Sequence, residues 1–411
     1  MQDPVDPIKL DRLAEVAVRI GLNLQPGQDL ILTAPASALP LVRRIAEHAY
    51  AAGAGLVTPI LSDDAMTLAR FQHGHEASFD HAAGWLFDGM AQAYGRGAAR
   101  LAVSGGDPML LANEDPARVA RANKANAAAY GAARDQITRF AINWTIVAWP
   151  DLAWARMVFS DLPPDEAQHH LAEAIFAASR VNDTGAVANW QAHNVGLHRR
   201  ASWLDGQNFA ALQFSGPGTD LRLGLAEGHR WLAGATQARN GVVCNPNIPT
   251  EEVFTTPHRL QAEGMVRATK PLAYQGTLIR DIAVRFEGGA IAEARARTGQ
   301  EVLHKVLETD AGARRLGEVA LVPQASPIAQ SGLLFYNTLF DENAASHIAL
   351  GQCYATCFQN AESLDPDQIK ARGGNDSAIH IDWMIGSGEI DIDGVTQDGS
   401  RVPVMRQGAW A

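Results

Sequence analysis

The sequence predicts an α/β protein in two parts: an N-terminal open α/β sheet domain over residues 1–190, and a C-terminal, mostly antiparallel, barrel-like α+β domain over residues 191–411. Three observations carry this reading. The chain has 411 residues, more than one hydrophobic core usually organises. Up to Pro150 it alternates helical periodicity with short apolar runs, the pattern of an open sheet covered by helices. From Phe209 onward short alternating segments and glycine turns take over, the pattern of antiparallel strands.

Taken in order, "DPIKLDRLAEVAVRIGL" has apolar residues at helical spacing, "QDLILTAP" is a short strand, "LPLVRRIAEHAYAAGA" is a helix ending in glycine and "GLVTPILSDD" is a strand. The alternation repeats with "SFDHAAGWLFDGMAQAYGRGA" as helix, "RLAVSGGDP" as strand and loop, "DPARVARANKANAAAYGAARDQI" as helix and "FAINWTIVAWP" as strand. Helices then dominate to about Leu204, and in "PPDEAQHHLAEAIFAASRV" Asp165 and Glu166 sit in a first turn, where the helix dipole favours negative charge. The later strands are "FAALQFSGPGTDLRLGLAEGHRWLAG", "LIRDIAVRFEGGAIAEARA", "EVALVPQ", "HIALG" and "SAIHIDWMIGSGEIDIDG". No internal repeat or low-complexity segment interrupts them.

Composition excludes several classes. A formal charge of −11 without a long acidic or basic run argues against a nucleic-acid surface. Three cysteines, Cys244, Cys353 and Cys357, form no C-x-x-C pair, so no disulfide framework is expected and the reducing cytoplasm is the expected compartment. The start, "MQDPVDPIKLDRLAEVAVRIG", has prolines and aspartates where a signal peptide would be basic and then apolar. The apolar stretches fall short of the roughly 18 residues that a membrane helix needs. No G-x-G-x-x-G lies between a strand and a helix, and neither a P-loop nor a G-x-S-x-G elbow is present.

The chemistry gathers near the C-terminus. In "SAIHIDWMIG", His380 and Asp382 share one face of a strand while Ile379, Ile381 and Trp383 take the other. Alone, such a pair is a hydrogen-bonded core histidine; as a metal site it needs further ligands. "NPNIPTEEVFTTP" offers Glu251 and Glu252, "RRLGEVALVPQ" places Glu318 at the head of an apolar strand, and "FYNTLFDENAASHIALGQCY" holds Asp341, Glu342, His347 and Tyr354 in a mainly uncharged region. Each alone is an ordinary strand-end polar residue; together they form a constellation of carboxylates and imidazoles. "HGHEASFDH", with His73, His75 and His81, reads as a solvated loop. His169 and His170 read as exposed, and Cys353 and Cys357 as buried structural thiols.

"NIPTEEVFTTP", "GEVALVP", "FYNTLFDENAASHIALG", the tyrosine seven residues after His347 and the terminal "HID" resemble the M29 family of metallo-aminopeptidases, in that family's order and at similar separations. "SGGDP", "WPDLAWARMVF" and "GPGTDLRLGL" extend the resemblance over nearly the whole chain. It implies a metal-binding catalytic second domain that removes the N-terminal residue from short peptides through a water activated by two metal ions. Carried over, the ligands would be Glu252, Glu318, Glu342, His347, His380 and Asp382, with Glu342 a ligand, an outer partner of the ligands or the general base. Tyr354 would ligate a metal or donate to the tetrahedral oxyanion. Oxygen and imidazole donors without thiolate fit Zn, Co, Mn or Mg. The resemblance also implies a homodimer and short peptides with a free N-terminus as partners, with neither nucleic acid nor membrane. The rival is an M29-like mononuclear iron dioxygenase opening a dihydroxypyridine, with His347, His380 and Asp382 on Fe(II).

Overall fold

The computed structural model of the chain describes residues 4–274 and 277–411. Met1–Asp3, the start of the stretch read as lacking a signal peptide, lie outside them. The chain divides into two compact units, one of residues 1–193 and 235–249, the other of residues 194–234 and 250–411. Among the described residues, no helix is long and apolar enough to cross a membrane.

The first unit is built on a four-stranded parallel sheet in the order Val57–Ser62, Leu30–Pro35, Ala99–Ser104, Trp144–Ala148. Parallel neighbours need crossover connections, which the helices supply. Their starts are written as Asp-Pro or Asp-rich turns: Asp6, Asp63, Asp115 and Asp151 each accept hydrogen bonds from the first-turn amides of the helix that follows. Two expected helices are shorter in the structure. The 78–98 stretch is helical only over Gly84–Gly95, after a 3-10 turn at Glu76–Asp80 that Arg121 holds through both acids. The next helix is jointed at Tyr130, giving Pro116–Ala129 and Gly131–Thr138. The expected loop histidines also lie here, with His73 closing the helix Asp64–His73 and His75 accepting from the Ala77 amide.

The second unit carries a five-stranded and an eight-stranded antiparallel sheet, and one hydrophobic cluster draws on both. From the eight-stranded sheet come Leu212, Phe214, Leu221 and Leu223; from the five-stranded sheet come Val253, Val319, Leu321, Ile348, Leu350 and Trp383. The antiparallel expectation holds, but the sheets are open and no barrel closes. The eight-stranded order runs from Ala290–Arg295 at one edge to Ala409–Trp410 at the other. That last strand has two residues, and so short an edge ends a sheet rather than extending it.

The five-stranded sheet positions the site. Its order is His380–Met384, His347–Gly351, Leu316–Leu321, Val253–Thr255, Leu232–Ala233, all antiparallel. Ala349 pairs with Asp382 on one side and with Glu318 on the other. A residue two positions along a strand returns to the same face, so His347, Ala349, His380, Asp382 and Glu318 share one face, and Val319, Ile348, Leu350 and Trp383 take the core face. Leu316 and Glu318 would share a face in a regular strand, yet one is core and the other polar. The register slips between them, with Leu316 opposite Leu350 and Glu318 opposite Ala349, and this bulge turns the carboxylate away from the core. Gly317 occupies the bulge, where a Cβ would meet the Gln352 carbonyl oxygen at 2.2 Å.

Candidate metal centre

Five of the six expected ligands converge. His347 Nε2 lies 3.2 Å from Glu252 Oε2 and 3.6 Å from Glu318 Oε1. His380 Nε2 lies 3.6 Å from Glu318 Oε2 and 3.4 Å from Asp382 Oδ1. The donor atoms fall into two groups, Glu252, Glu318 and His347 in one and Glu318, His380 and Asp382 in the other, all within 4.8 Å of one another inside each group. Glu318 belongs to both, one oxygen turned toward each imidazole. Glu342 lies outside both groups, in a small pocket that it lines with Asp382, Thr338, Asp341, Leu272, Ala273 and Met384.

Both imidazoles are fixed from behind. His347 Nδ1 is 3.1 Å from the Ala345 carbonyl and His380 Nδ1 is 2.7 Å from the Gln352 carbonyl. A carbonyl only accepts, so each Nδ1 donates and Nε2 is the atom turned to the acids, free to give its lone pair to a metal once it sheds its proton. Between the rings the face is floored by small residues, Ala349 and Gly351, which leave room above the sheet. Tyr354 stands at the rim, 46% exposed, its ring 4.8 Å from that of His380 and 6.1 Å from that of Phe254.

Burial and mutual repulsion make the metal-free site electrostatically costly. Desolvation pushes the Glu318 carboxyl up to about 7, with the Glu252 and Asp382 charges adding to the rise. Desolvation, then Glu252 and Asp382, hold Glu342 well above the usual carboxylate range. Desolvation opposes charge on His380, but Asp382, Glu318 and the Gln352 carbonyl together outweigh it and raise the imidazole to about 10. In the same way Glu252 and Glu318 overcome desolvation to raise His347. For Tyr354, desolvation first and then the charges of Glu318, Asp382, Glu342 and Glu252 push the hydroxyl well above its ordinary range, so it stays protonated.

No Lys or Arg forms an ion pair with Glu252, Glu318, Glu342 or Asp382 among the described residues, and buried Asp382 Oδ1 has no hydrogen bond there. Buried carboxylates persist only with compensating charge. Oxygen and imidazole donors with aligned lone pairs and no thiolate fit hard or borderline divalent cations. The residues present therefore suit such an ion.

Other readings resolve into structure. Asp341 is buried, but its oxygens accept the amides of Phe335 at 2.7 Å and Asn337 at 3.0 Å, which fixes the loop before Glu342. The Glu251 amide donates to Asn343 Oδ1 at 2.7 Å. The three cysteines are buried and free, as expected. His169 contacts the Pro4 carbonyl and His170 packs at 5.6 Å from the Phe159 ring, both away from any acid group of this kind. Sequence reasoning missed Gly317, Ala349 and the carbonyls of Ala345 and Gln352. Only Gly317 left a signal, a glycine between an apolar and an acidic residue that need opposite faces.

The chain is similar to known proteins over nearly its whole length. Aminopeptidase T of Thermus thermophilus is 53% identical over 401 residues, covering 98% of each chain. The solved structure of wild-type AmpT from Thermus thermophilus superposes with a TM-score of 0.93 at 53% identity, over 98% of this chain and 99% of that one. A 2,5-dihydroxypyridine dioxygenase from Pseudomonas putida KT2440 shares the fold, with a TM-score of 0.55 at 12% identity over 99% of this chain and 98% of that one. Residues 7–410 match the profile described as thermophilic metalloprotease (M29), and the chain belongs to that family.

Proposed function

We propose that the protein is a metal-dependent aminopeptidase that releases the N-terminal residue from short peptides, with Glu252, Glu318, His347, His380 and Asp382 holding two divalent ions. The observation that carries this reading is the convergence of three carboxylates and two pre-oriented imidazoles on one sheet face, without a balancing Lys or Arg among the described residues. Glu318, common to both groups, would contribute to the holding of both ions. Zinc is our first choice of metal, with cobalt, manganese and magnesium as alternatives.

Divalent ions bound there would lower the pKa of a water and polarise the scissile carbonyl. The rest of the chemistry belongs to the chain. His347 and His380 keep their Nε2 atoms aimed inward because their Nδ1 atoms are tied to backbone carbonyls. Glu342, which lines a pocket together with Asp382, either completes the ligand set or accepts the proton of the attacking water. Tyr354, kept protonated beside His380, donates to the oxygen on which negative charge develops. The carboxylates also suit a substrate α-ammonium, which confines cleavage to the first residue.

The dioxygenase alternative has weaker support. It needs His347, His380 and Asp382 on one iron, but the two donor groups divide the histidines between them and leave Glu252 and Glu318 against His347. We further propose a homodimer acting in the cytosol, consistent with free, buried cysteines. A single peptide in two forms tests the function. The unblocked form should lose its first residue in the presence of zinc, cobalt or magnesium, and the N-acetylated form should survive. Equal cleavage of both would exclude an aminopeptidase.

A further inference from the structure

Outside the site, one carboxylate collects an unusual set of donors. Asp310 lies in the loop between the helix Gln300–Leu307 and the strand of Glu318. Its Oδ1 accepts the amides of Gly312 at 2.8 Å and Ala313 at 2.9 Å, on the way into that strand. Its Oδ2 accepts the Ala378 amide at 2.7 Å, and the Ser377 hydroxyl donates to both oxygens at 2.9 and 3.0 Å. Ala378 is two residues before His380. The Ala378 amide, aided by Ser377, Gly312 and Ala313, holds the Asp310 carboxyl below its usual range, so it is an anion at neutral pH.

The bonds continue into the site. The Ser377 amide donates to Gln352 Oε1 at 3.0 Å, and the carbonyl of that same Gln352 receives His380 Nδ1 at 2.7 Å. Asn375 adds a parallel tie, its Nδ2 donating to the carbonyls of Gly312 at 2.9 Å and Gly351 at 2.7 Å. The two segments touch closely: a Cβ on Gly312 would lie 1.9 Å from the Asp376 carbonyl oxygen. His347 is held differently: its Nδ1 meets the Ala345 carbonyl two residues away, its neighbour Ser346 is tied to the Val322 amide at 3.1 Å and accepts the Ile385 amide at 2.9 Å, and among the described residues no carboxylate fastens that segment.

From this asymmetry we infer that Asp310 is a positioning residue for His380, fastening the 375–379 segment so that the imidazole meets Glu318 and Asp382. The inference rests on the ion-binding reading given above. Direct partners of a ligand typically change metal affinity by about 10–100-fold; Asp310 acts on His380 through Ser377 and Gln352, so its effect is expected at the lower end of that range. Removing Asp310 should therefore weaken the Glu318–His380–Asp382 group and spare the Glu252–Glu318–His347 group. This asymmetry gives Asp310 a signature that general destabilisation would not.

The test uses the full chain, stripped of metal and titrated with cobalt(II) by calorimetry and visible absorption. His347→Ala leaves the His380 group to be read, and His380→Ala leaves the His347 group. Asp310→Ala should cost about tenfold or more in cobalt affinity in the His347→Ala background and less than about twofold in the His380→Ala background. Asp310→Asn, which keeps an acceptor but not the charge, should fall between wild type and Asp310→Ala and covers the case in which the alanine variant does not fold. Equal losses in the two backgrounds, or none in either, would overturn the role of Asp310. Cobalt binding to neither background nor to the wild-type chain would instead overturn the ion-binding reading itself.

Discussion

One buried amide of the first unit and the buried acids of the second are satisfied in opposite ways. In the first, Asn143 is fully buried, and its amide donates to the Leu22 carbonyl at 2.9 Å and to Gln28 at 3.2 Å, while its oxygen accepts from Gln28 at 2.7 Å and Asn240 at 3.0 Å. Every valence is used within the chain. In the second, Glu252, Glu318 and Asp382, acceptors only when ionised, face one another and two imidazoles. A buried polar group whose partners come from its own chain reports structure; one that waits for charge from outside reports function.

The comparison can be broken most forcefully at His347. His347→Ala should lower kcat/KM on an amino-acid anilide by roughly a thousandfold or more and reduce bound metal, because nucleophile and electrophile are lost together. Retained activity with full metal content would remove His347 from the ligand set.

A sharper test uses neighbours on opposite faces of one strand. Leu350 belongs to the core, so Leu350→Ala should cost about 2–5 kcal/mol in denaturant unfolding with metal content preserved. Ala349 floors the site between Glu318 and Asp382, so Ala349→Leu should lower metal affinity while changing the unfolding midpoint less. The reverse pattern would mean that the faces are assigned wrongly. The smallest effect is expected at Asn143: Asn143→Ala should destabilise the protein by about 1–3 kcal/mol without altering metal stoichiometry. Lost metal there would deny that its role is local.

Much of this was legible in the sequence because it is written locally. Alternation in "AIHIDWM" put His380 and Asp382 on one face, and apolar residues at helical spacing marked the helices of the first unit. What stayed hidden depends on pairing between distant segments. The bulge at Gly317 exists because Leu316 must meet Leu350 while Glu318 meets Ala349, and neither partner is adjacent in sequence. The mostly antiparallel sheets are as expected; that they stay open rather than barrel-like follows from strand order and a two-residue edge strand, which composition does not encode. Asp310 was invisible for the same reason, since its partners Ser377 and Ala378 are more than sixty positions away.

The central claim is that the polar face of the five-stranded sheet is a two-ion site, and anomalous scattering from crystals of the zinc- or cobalt-loaded protein tests it most directly. The account predicts two peaks, one among Glu252, Glu318 and His347 and the other among Glu318, His380 and Asp382, with Glu318 touching both. A single peak bound by His347, His380 and Asp382 together, or strong peaks only elsewhere in the chain, would contradict it.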